Sequence, residues 1–322
     1  MKTWARAAVS IALLGLLFYF LPLGQVRDAL GRLPPALWLL VLLGFLVGHW
    51  LGVLKWRLFV NAARGRLERI DALLCYSAGL FANLCLPSIV GGDLLRMGLA
   101  GKLTRRPEAA LWGGVMDRLT DMLSLAILVT IGGLLVHRSE SGWIGRVLTV
   151  AALVGAALIA LLLPLLIRRP LARWPRRLRR PVGRGLVGLR QLWRRPGTAA
   201  VGLALSLTIQ GSFVLLNAWL GRSIGIEVDL AVWFLVWPLA KIASLAPISL
   251  GGLAVREASL AALLLPFGVP VARSVVCSLL WQTVLIAGGL MGGLIWLVLH
   301  RTRRITWRTA GGHLTVSRTG GE

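Results

Sequence analysis

Long apolar stretches separated by short basic segments dominate the sequence. Residues 36–54 and 150–167, for example, contain no Asp, Glu, Lys or Arg. A helix that crosses the hydrocarbon core of a bilayer needs roughly 20 mostly apolar residues. The pattern therefore predicts six spanning helices, at about 7–24, 36–55, 110–136, 143–167, 199–221 and 271–299.

Two further apolar segments, at about 72–103 and 230–268, are each interrupted in the middle by proline and a Gly-Gly pair. The strongly basic stretches follow or precede the predicted spans, at 55–69, 96–106, 168–195 and 301–308. Basic loops of membrane proteins lie in the cytoplasm. All four basic stretches satisfy this rule if the chain begins in the cytoplasm and if each interrupted segment enters and leaves the membrane by the same face. We therefore predict two re-entrant hairpins that enter from opposite faces.

The resulting order of elements is span, span, hairpin and span, repeated once from the other side of the membrane. Such an order is typical of the inverted repeats of transporters. Residues 87–96 and 247–256 support it, because both contain Pro, Gly-Gly and Arg at the same spacing. We predict an all-α polytopic membrane protein with a first repeat at 1–140, a second at 141–304 with a basic cytoplasmic linker at 168–198, and a disordered tail at 305–322.

The composition excludes a soluble domain, since 57% of the residues are hydrophobic and only 15% are charged. The net charge of +24 raises the question of nucleic acid as a partner. The arginines flank apolar runs, however, so anionic lipid headgroups explain the charge and nucleic acid is not expected. We expect a multi-pass protein of the inner (cytoplasmic) membrane with both termini in the cytoplasm.

The two Gly-Gly pairs mark a candidate binding site. Proline ends the first arm of each hairpin, and glycine permits a tight turn and close approach of the backbone. The second arm then begins with free N–H groups, which favour anions. We predict substrate binding at Gly91, Gly92, Gly251 and Gly252. The alternative is that both motifs are simple turns.

Arg96 and Arg256 follow these turns and would lie at membrane depth, where a charge needs a partner. Our hypothesis is that both arginines bind one lipid phosphate, because guanidinium offers several fixed donors. Asp93 lies three residues before Arg96, whereas Glu257, next to Arg256, is expected to point elsewhere. Structural ion pairs with Asp93, Glu257 or Asp117 are the alternative.

Other charged residues fall inside apolar segments. Asp117 and Asp121 share one face of a predicted helix with Arg118 between them, and they are candidates for binding a cation, moving a proton or holding an arginine. Pairing with basic loops is the alternative. Lys241 is a further candidate for a phosphate or a carboxylate, with pairing to Glu257 or snorkelling to the interface as alternatives.

No pattern of residues predicts a metal site, a cofactor or a catalytic group. The histidines are isolated, the three cysteines lack metal-ligand spacing, and no nucleotide-binding glycine-rich loop is present.

The ordered set formed by residues 86–96, Asp117-Arg-Leu-Thr-Asp121 and residues 247–257 resembles the flippase-like family, which includes the transmembrane region of lysylphosphatidylglycerol synthases. The resemblance implies lipid handling, without the soluble synthase domain. It assigns the family's recurring charged positions to Arg96, Arg118, Asp121, Arg256 and Glu257. The chain departs from the pattern at three positions, with Asp117 where glutamate is usual, Ala254 where glycine is common and Trp281 where arginine is frequent.

These features together predict a lipid flippase that moves a phospholipid or a polyprenyl-phosphate-linked lipid between leaflets. Homo-oligomers or envelope-biosynthesis enzymes are the other partners to consider. Two alternatives stay open, namely a membrane glycosyl- or phospho-transferase acting on a polyprenyl phosphate, and a secondary transporter of a small anionic solute.

Overall fold

The computed structural model of the protein describes residues 31, 34–85, 91–139, 196–244, 255–302, 305–310 and 313–318. The helices in these ranges are α1 (Pro35–Ala62), α2 (Arg69–Cys85), α3 (Gly91–Thr104), α4 (Pro107–Ser139), α5 (Pro196–Ser223), α6 (Leu230–Ser244), α7 (Val255–Leu264) and α8 (Val271–Thr302). A 3-10 turn (Leu265–Phe267) follows α7, and two strands, β1 (Ile305–Ala310) and β2 (His313–Arg318), follow α8.

Four of the described helices are long and apolar enough to cross a membrane: α1, α4 over Pro107–Val136, α5 and α8. They confirm the predicted helices at 36–55, 110–136, 199–221 and 271–299. Proline at the first position begins α1, α4 and α5, where its missing N–H costs no helical hydrogen bond. The predicted spans at 7–24 and 143–167 lie outside the described residues, as do the boundary at 140–141 and most of the linker at 168–198.

Each interrupted apolar segment contains two short helices that pack against each other, α2 with α3 and α6 with α7. The close packing of α2 on α3 depends on glycine. A Cβ atom on Gly92 would collide with the carbonyl oxygen of Gly79 and with the side chain of Asn83. The turns between the paired helices, which include Gly251 and Gly252, lie outside the described residues.

The helices pack in a reciprocal pattern. Helix α1 lies against α5, α2 lies against α8, and α6 lies against α4. The first helix of each short pair therefore contacts the long helix that follows the other pair. Trp233, Trp237 and Trp281 are buried in the larger apolar core, which helices α1, α4, α5, α6, α7 and α8 share.

Helix α1 continues past the end of the predicted span at residue 55. Trp56, Phe59 and Val60 are fully buried, so the last two turns pack in the protein core. Lys55, which the sequence analysis grouped with the basic loop, is consequently an intrahelical residue that is only 2% exposed. Apolar residues at helical spacing on both sides of this lysine extend the helix beyond the uncharged run.

The tail at 305–322, which the sequence analysis predicted to be disordered, contains two described strands. Strands β1 and β2 pair antiparallel, with Ile305 opposite Arg318 and Ala310 opposite His313. Gly311 and Gly312 connect them, and a two-residue glycine connection favours a hairpin. The β-branched and aromatic residues of the tail suit strands.

Candidate functional site: a charged cavity among the helices

Arg96 lies in the second turn of α3 and is almost completely buried. Its Nη2 atom donates to Oδ2 of Asp117 in α4 across 2.7 Å and lies 3.0 Å from Oδ1 of Asp93. The guanidinium also lies over two aromatic rings, 5.1 Å from the centre of Trp56 and 4.9 Å from that of Tyr76. Two carboxylates and two ring faces thus offset the cost of burying this charge.

Lys55 connects the two aspartates of α4. Its Nζ atom donates to Oδ1 of Asp121 across 2.5 Å and lies 3.0 Å from Oδ1 of Asp117. It also donates to the hydroxyl of Ser206 in α5 across 2.9 Å. The spacing of Asp117 and Asp121 places both on one helical face, as predicted, and the cation that they hold is a lysine from α1.

Arg118 extends the series of charges toward the surface. Its Nε atom donates to Oδ2 of Asp93 across 2.6 Å, and its side chain is 41% exposed. The charged groups therefore alternate in sign through α3, α4 and α1, in the order Arg118, Asp93, Arg96, Asp117, Lys55 and Asp121. Three cations and three carboxylates balance in this chain, which we call the ion-pair chain.

Lys241, in α6, is held differently. Its Nζ atom donates to the amide oxygen of Gln210 in α5 across 2.7 Å and lies 5.5 Å from the ring centre of Phe213. Among the described residues, no carboxylate lies within ion-pair distance of this ammonium. Lys241 is therefore a cation whose described partners are all uncharged.

The ion-pair chain and Lys241 line one cavity of about 110 Å³. The described lining contains four cationic side chains and three carboxylates, so their charges sum to +1. His49 and Tyr76 complete the wall and contact each other, with 3.2 Å between the Nδ1 and hydroxyl atoms. A cavity with a net positive charge and mobile amine donors suits an anion.

The start of α3 meets the cavity wall at Asn83 of α2. Gly91 begins this helix, and the N–H group of Gly92 donates to the side-chain oxygen of Asn83 across 3.0 Å. The amide of Asn83 thus binds one of the free N–H groups that the sequence analysis assigned to an anion. Asn83 lines the cavity beside Gly79.

Arg256 and Glu257 form a second, separate cluster between α7 and α8. The Nη2 atom of Arg256 donates to Oε1 of Glu257 across 2.7 Å and to Oε1 of Gln282 across 3.0 Å. Its Nε atom donates to the hydroxyl of Ser278, which itself donates to Glu257. The expectation that Glu257 points elsewhere was wrong, because two long adjacent side chains converge on the same residue of a neighbouring helix.

The described lining of the cavity includes Arg96 and Lys241 but not Arg256. The donors of Arg256 are directed to Glu257, Ser278 and Gln282 instead. Trp281, at a position where the resemblance implied a further arginine, is 3% exposed and meets Phe45, Phe213 and Trp237 edge to face. In this chain that position belongs to the apolar core.

Sequence reasoning missed Lys55, Gln210, His49 and Tyr76 as parts of the site. A lysine flanked by Leu54 and Trp56 was the one available signal, since a cation within an apolar helix needs a partner. Within the described ranges, no group of three His, Cys, Asp or Glu side chains is arranged to hold a metal ion.

Comparison with known proteins identifies the family. Neither a curated protein nor a solved structure matches the chain. The family model described as the lysylphosphatidylglycerol synthase TM region matches residues 3–293, which is most of the sequence. The chain therefore belongs to the family of lysylphosphatidylglycerol synthase transmembrane regions.

Proposed function

We propose that the protein binds the phosphate-bearing headgroup of a membrane lipid in the charged cavity and carries that lipid between the two leaflets. The lipid is a phospholipid or a polyprenyl-phosphate-linked lipid. Lys241 is the observation that carries the proposal. It adds a positive charge to a cavity whose other described charges are already paired.

Lys241 is half-buried, and an ammonium withdrawn from water in this way without a carboxylate partner is costly, since hydrogen bonds to neutral groups replace only part of its hydration. An anion that enters the cavity supplies the missing charge. Arg96 and Arg118 line the same space, so a phosphate that approaches Lys241 also meets guanidinium donors. Asn83, whose side-chain oxygen accepts from the N–H group of Gly92, contributes a polar group to the wall near the start of α3.

The lipid class follows from the surroundings of the cavity. The four long apolar helices and the family place the protein in a membrane. Lipids are the anions present at high concentration there, and their headgroups carry the phosphate that guanidinium and ammonium groups recognise. Glycerol phosphate is a soluble anion of the same chemistry, so it serves as the comparison in the exchange experiment.

We further propose that two halves of the protein form an inverted repeat of six spans and two re-entrant helix pairs. The reciprocal packing of α2 on α8 and of α6 on α4 supports this relation. Rocking of one half against the other would then expose the cavity to each leaflet in turn. The inner membrane, with both termini in the cytoplasm, remains the proposed location.

Leaflet exchange in liposomes tests the proposal. The purified protein is reconstituted with a fluorescent phosphatidylglycerol or with a fluorescent glycolipid of the same chains and no phosphate, and exchange is followed by quenching of the outer leaflet. We expect faster exchange of the phosphate lipid than in protein-free liposomes, and little acceleration of the glycolipid. Glycerol phosphate in the buffer should compete weakly.

Equal acceleration of both lipids would show that the phosphate is not recognised. No acceleration of either lipid, in protein that stays folded in the liposomes, would contradict the transport proposal. Uptake of glycerol phosphate into the liposomes, without any lipid exchange, would identify a soluble anion as the substrate instead.

A further inference from the structure

A groove with apolar walls lies between α2, α3 and the end of α8. Its volume is about 410 Å³, within the range of roughly 300–1,000 Å³ that is usual for small-molecule sites. Leu74 and Phe81 of α2, Leu99 and Leu103 of α3, and Trp296 of α8 form its walls. No Asp, Glu, Lys or Arg belongs to the described lining.

The α2 wall of the groove contains two small side chains, Ala78 and Ala82, which lie one helical turn apart. Among the described lining residues, polar side-chain atoms are found in the thiol of Cys85, the ring of His300 and the indole N–H of Trp296. The His300 ring stacks on Trp296 with 5.5 Å between the ring centres and 5° between the planes. The groove thus offers shape and apolar contact but almost no hydrogen bonds, which excludes a peptide or a polar metabolite as occupant.

The groove and the charged cavity lie on two faces of the same helix pair. Gly79 of α2 and Arg96 of α3 line the cavity, whereas Ala78 of α2 and Leu95 of α3 line the groove. Within the described part of the chain, α2 and α3 each line both spaces. Cys85 and Leu95 are exposed, so the groove opens at the surface of the protein.

We propose that this groove binds one hydrocarbon chain of the lipid whose headgroup occupies the charged cavity. The inference rests on the proposed function and adds a second point of recognition to it. Within a bilayer the chain leaves an equally apolar solvent, so van der Waals packing rather than the hydrophobic effect favours the bound state. The groove therefore selects the shape and length of the chain, while the cavity selects the phosphate.

Photolabelling in liposomes tests the groove directly. The probe is a phosphatidylglycerol with a diazirine in the middle of one acyl chain, and the labelled peptides are mapped by mass spectrometry. We expect labels to concentrate on the groove residues of 74–85 and 95–103, well above the labelling of exposed Leu39 and Leu43 on α1. Labelling of α1 to the same extent would show ordinary boundary lipid and overturn the proposal.

Substitutions that fill the groove provide a second test of the proposal. Ala82→Trp and Leu99→Trp enter it from different helices, so one variant remains informative if the other does not fold. Leu94→Trp is the matched control, since Leu94 is on α3, is 59% exposed and does not belong to the described groove lining. We expect the filled variants to lose groove labels and to exchange the phosphate lipid several-fold more slowly, and the control to do neither.

The two proposals fail in different ways. Uniform labelling together with phosphate-selective exchange would overturn the groove and leave the proposed function intact. Concentrated labelling without any exchange would overturn transport, while the groove would stand as a chain-binding site. Normal exchange in folded Ala82→Trp and Leu99→Trp proteins would show that the groove does not take part in transport and would overturn its proposed role.

Discussion

Arg96 of α3 and Asp117 of α4 face each other across 2.7 Å, and each side chain is only 4% exposed. Asp117 also lies 3.0 Å from the Nζ atom of Lys55 in α1. One carboxylate therefore joins three helices through two buried cations. The removal of one partner from such a pair leaves a buried charge without compensation, which is far more costly than the loss of a surface pair.

Asp117→Asn should lower the free energy of unfolding by about 3–5 kcal/mol, because both Lys55 and Arg96 lose a buried carboxylate. Chemical unfolding in detergent measures this change. Asp121→Asn is the matched control on the same helix face, since its side chain is 15% exposed and pairs with Lys55 alone among the described cations. An equal loss in the two variants would contradict the central position of Asp117.

Glycine at position 92 allows α3 to approach α2, so Gly92→Ala should destabilise the helix pair, since its methyl group would meet the Gly79 carbonyl and Asn83. We expect a loss of about 1–3 kcal/mol, typical of overpacking. Gly98→Ala lies in the same helix, where no atom beyond the adjacent helix backbone lies within 4 Å of the added carbon. That variant should instead gain up to about 1 kcal/mol from helix propensity.

Thermal unfolding of the two alanine variants gives opposite shifts if the close contact of α2 and α3 is real. No loss of stability in Gly92→Ala would show that the two helices do not meet at this point, and a loss in Gly98→Ala would show that position 98 is not open.

Asp93 holds both arginines of the ion-pair chain, with Oδ1 3.0 Å from Arg96 and Oδ2 accepting from Arg118. It therefore competes with a bound phosphate for the same donors. Asp93→Asn raises the summed charge of the cavity from +1 to +2 and should tighten binding of a phosphate lipid by roughly tenfold, or about 1.4 kcal/mol.

Fluorescence titration with phosphatidylglycerol in detergent micelles measures this affinity. Glu227→Gln changes the total charge equally at an exposed residue that does not belong to the described cavity lining, so it should leave the affinity unchanged. Weaker binding in Asp93→Asn would show that this carboxylate only holds the arginines in position.

The sequence analysis predicted the four long apolar helices that the structure describes, because length and apolar composition determine which helices suit a membrane. The division of each interrupted segment into two helices was also predictable, since proline and paired glycines interrupt a helix. The domain limits, the inverted repeat and the predicted site roles remain predictions.

The partners of the charges were harder to predict, because ion pairs between distant helices depend on how those helices pack. Lys55 and Asp117 are 62 positions apart in sequence, and nothing local to Lys55 identifies that acid. Local reasoning also failed for Glu257. Its position next to Arg256 suggested that the two side chains point in different directions, whereas both form a hydrogen bond with Ser278 of α8. Tertiary packing decides such contacts.

The most direct test of the central claim is the exchange assay on Lys241→Gln. Glutamine removes the charge yet can still donate to Gln210. A change in lipid preference in this variant is therefore caused by the loss of the positive charge. Lys102→Gln, at an exposed lysine of α3, is the matched control. We predict that Lys241→Gln loses the preference for the phosphate lipid over the glycolipid while Lys102→Gln keeps it; an unchanged preference in folded Lys241→Gln would contradict the account.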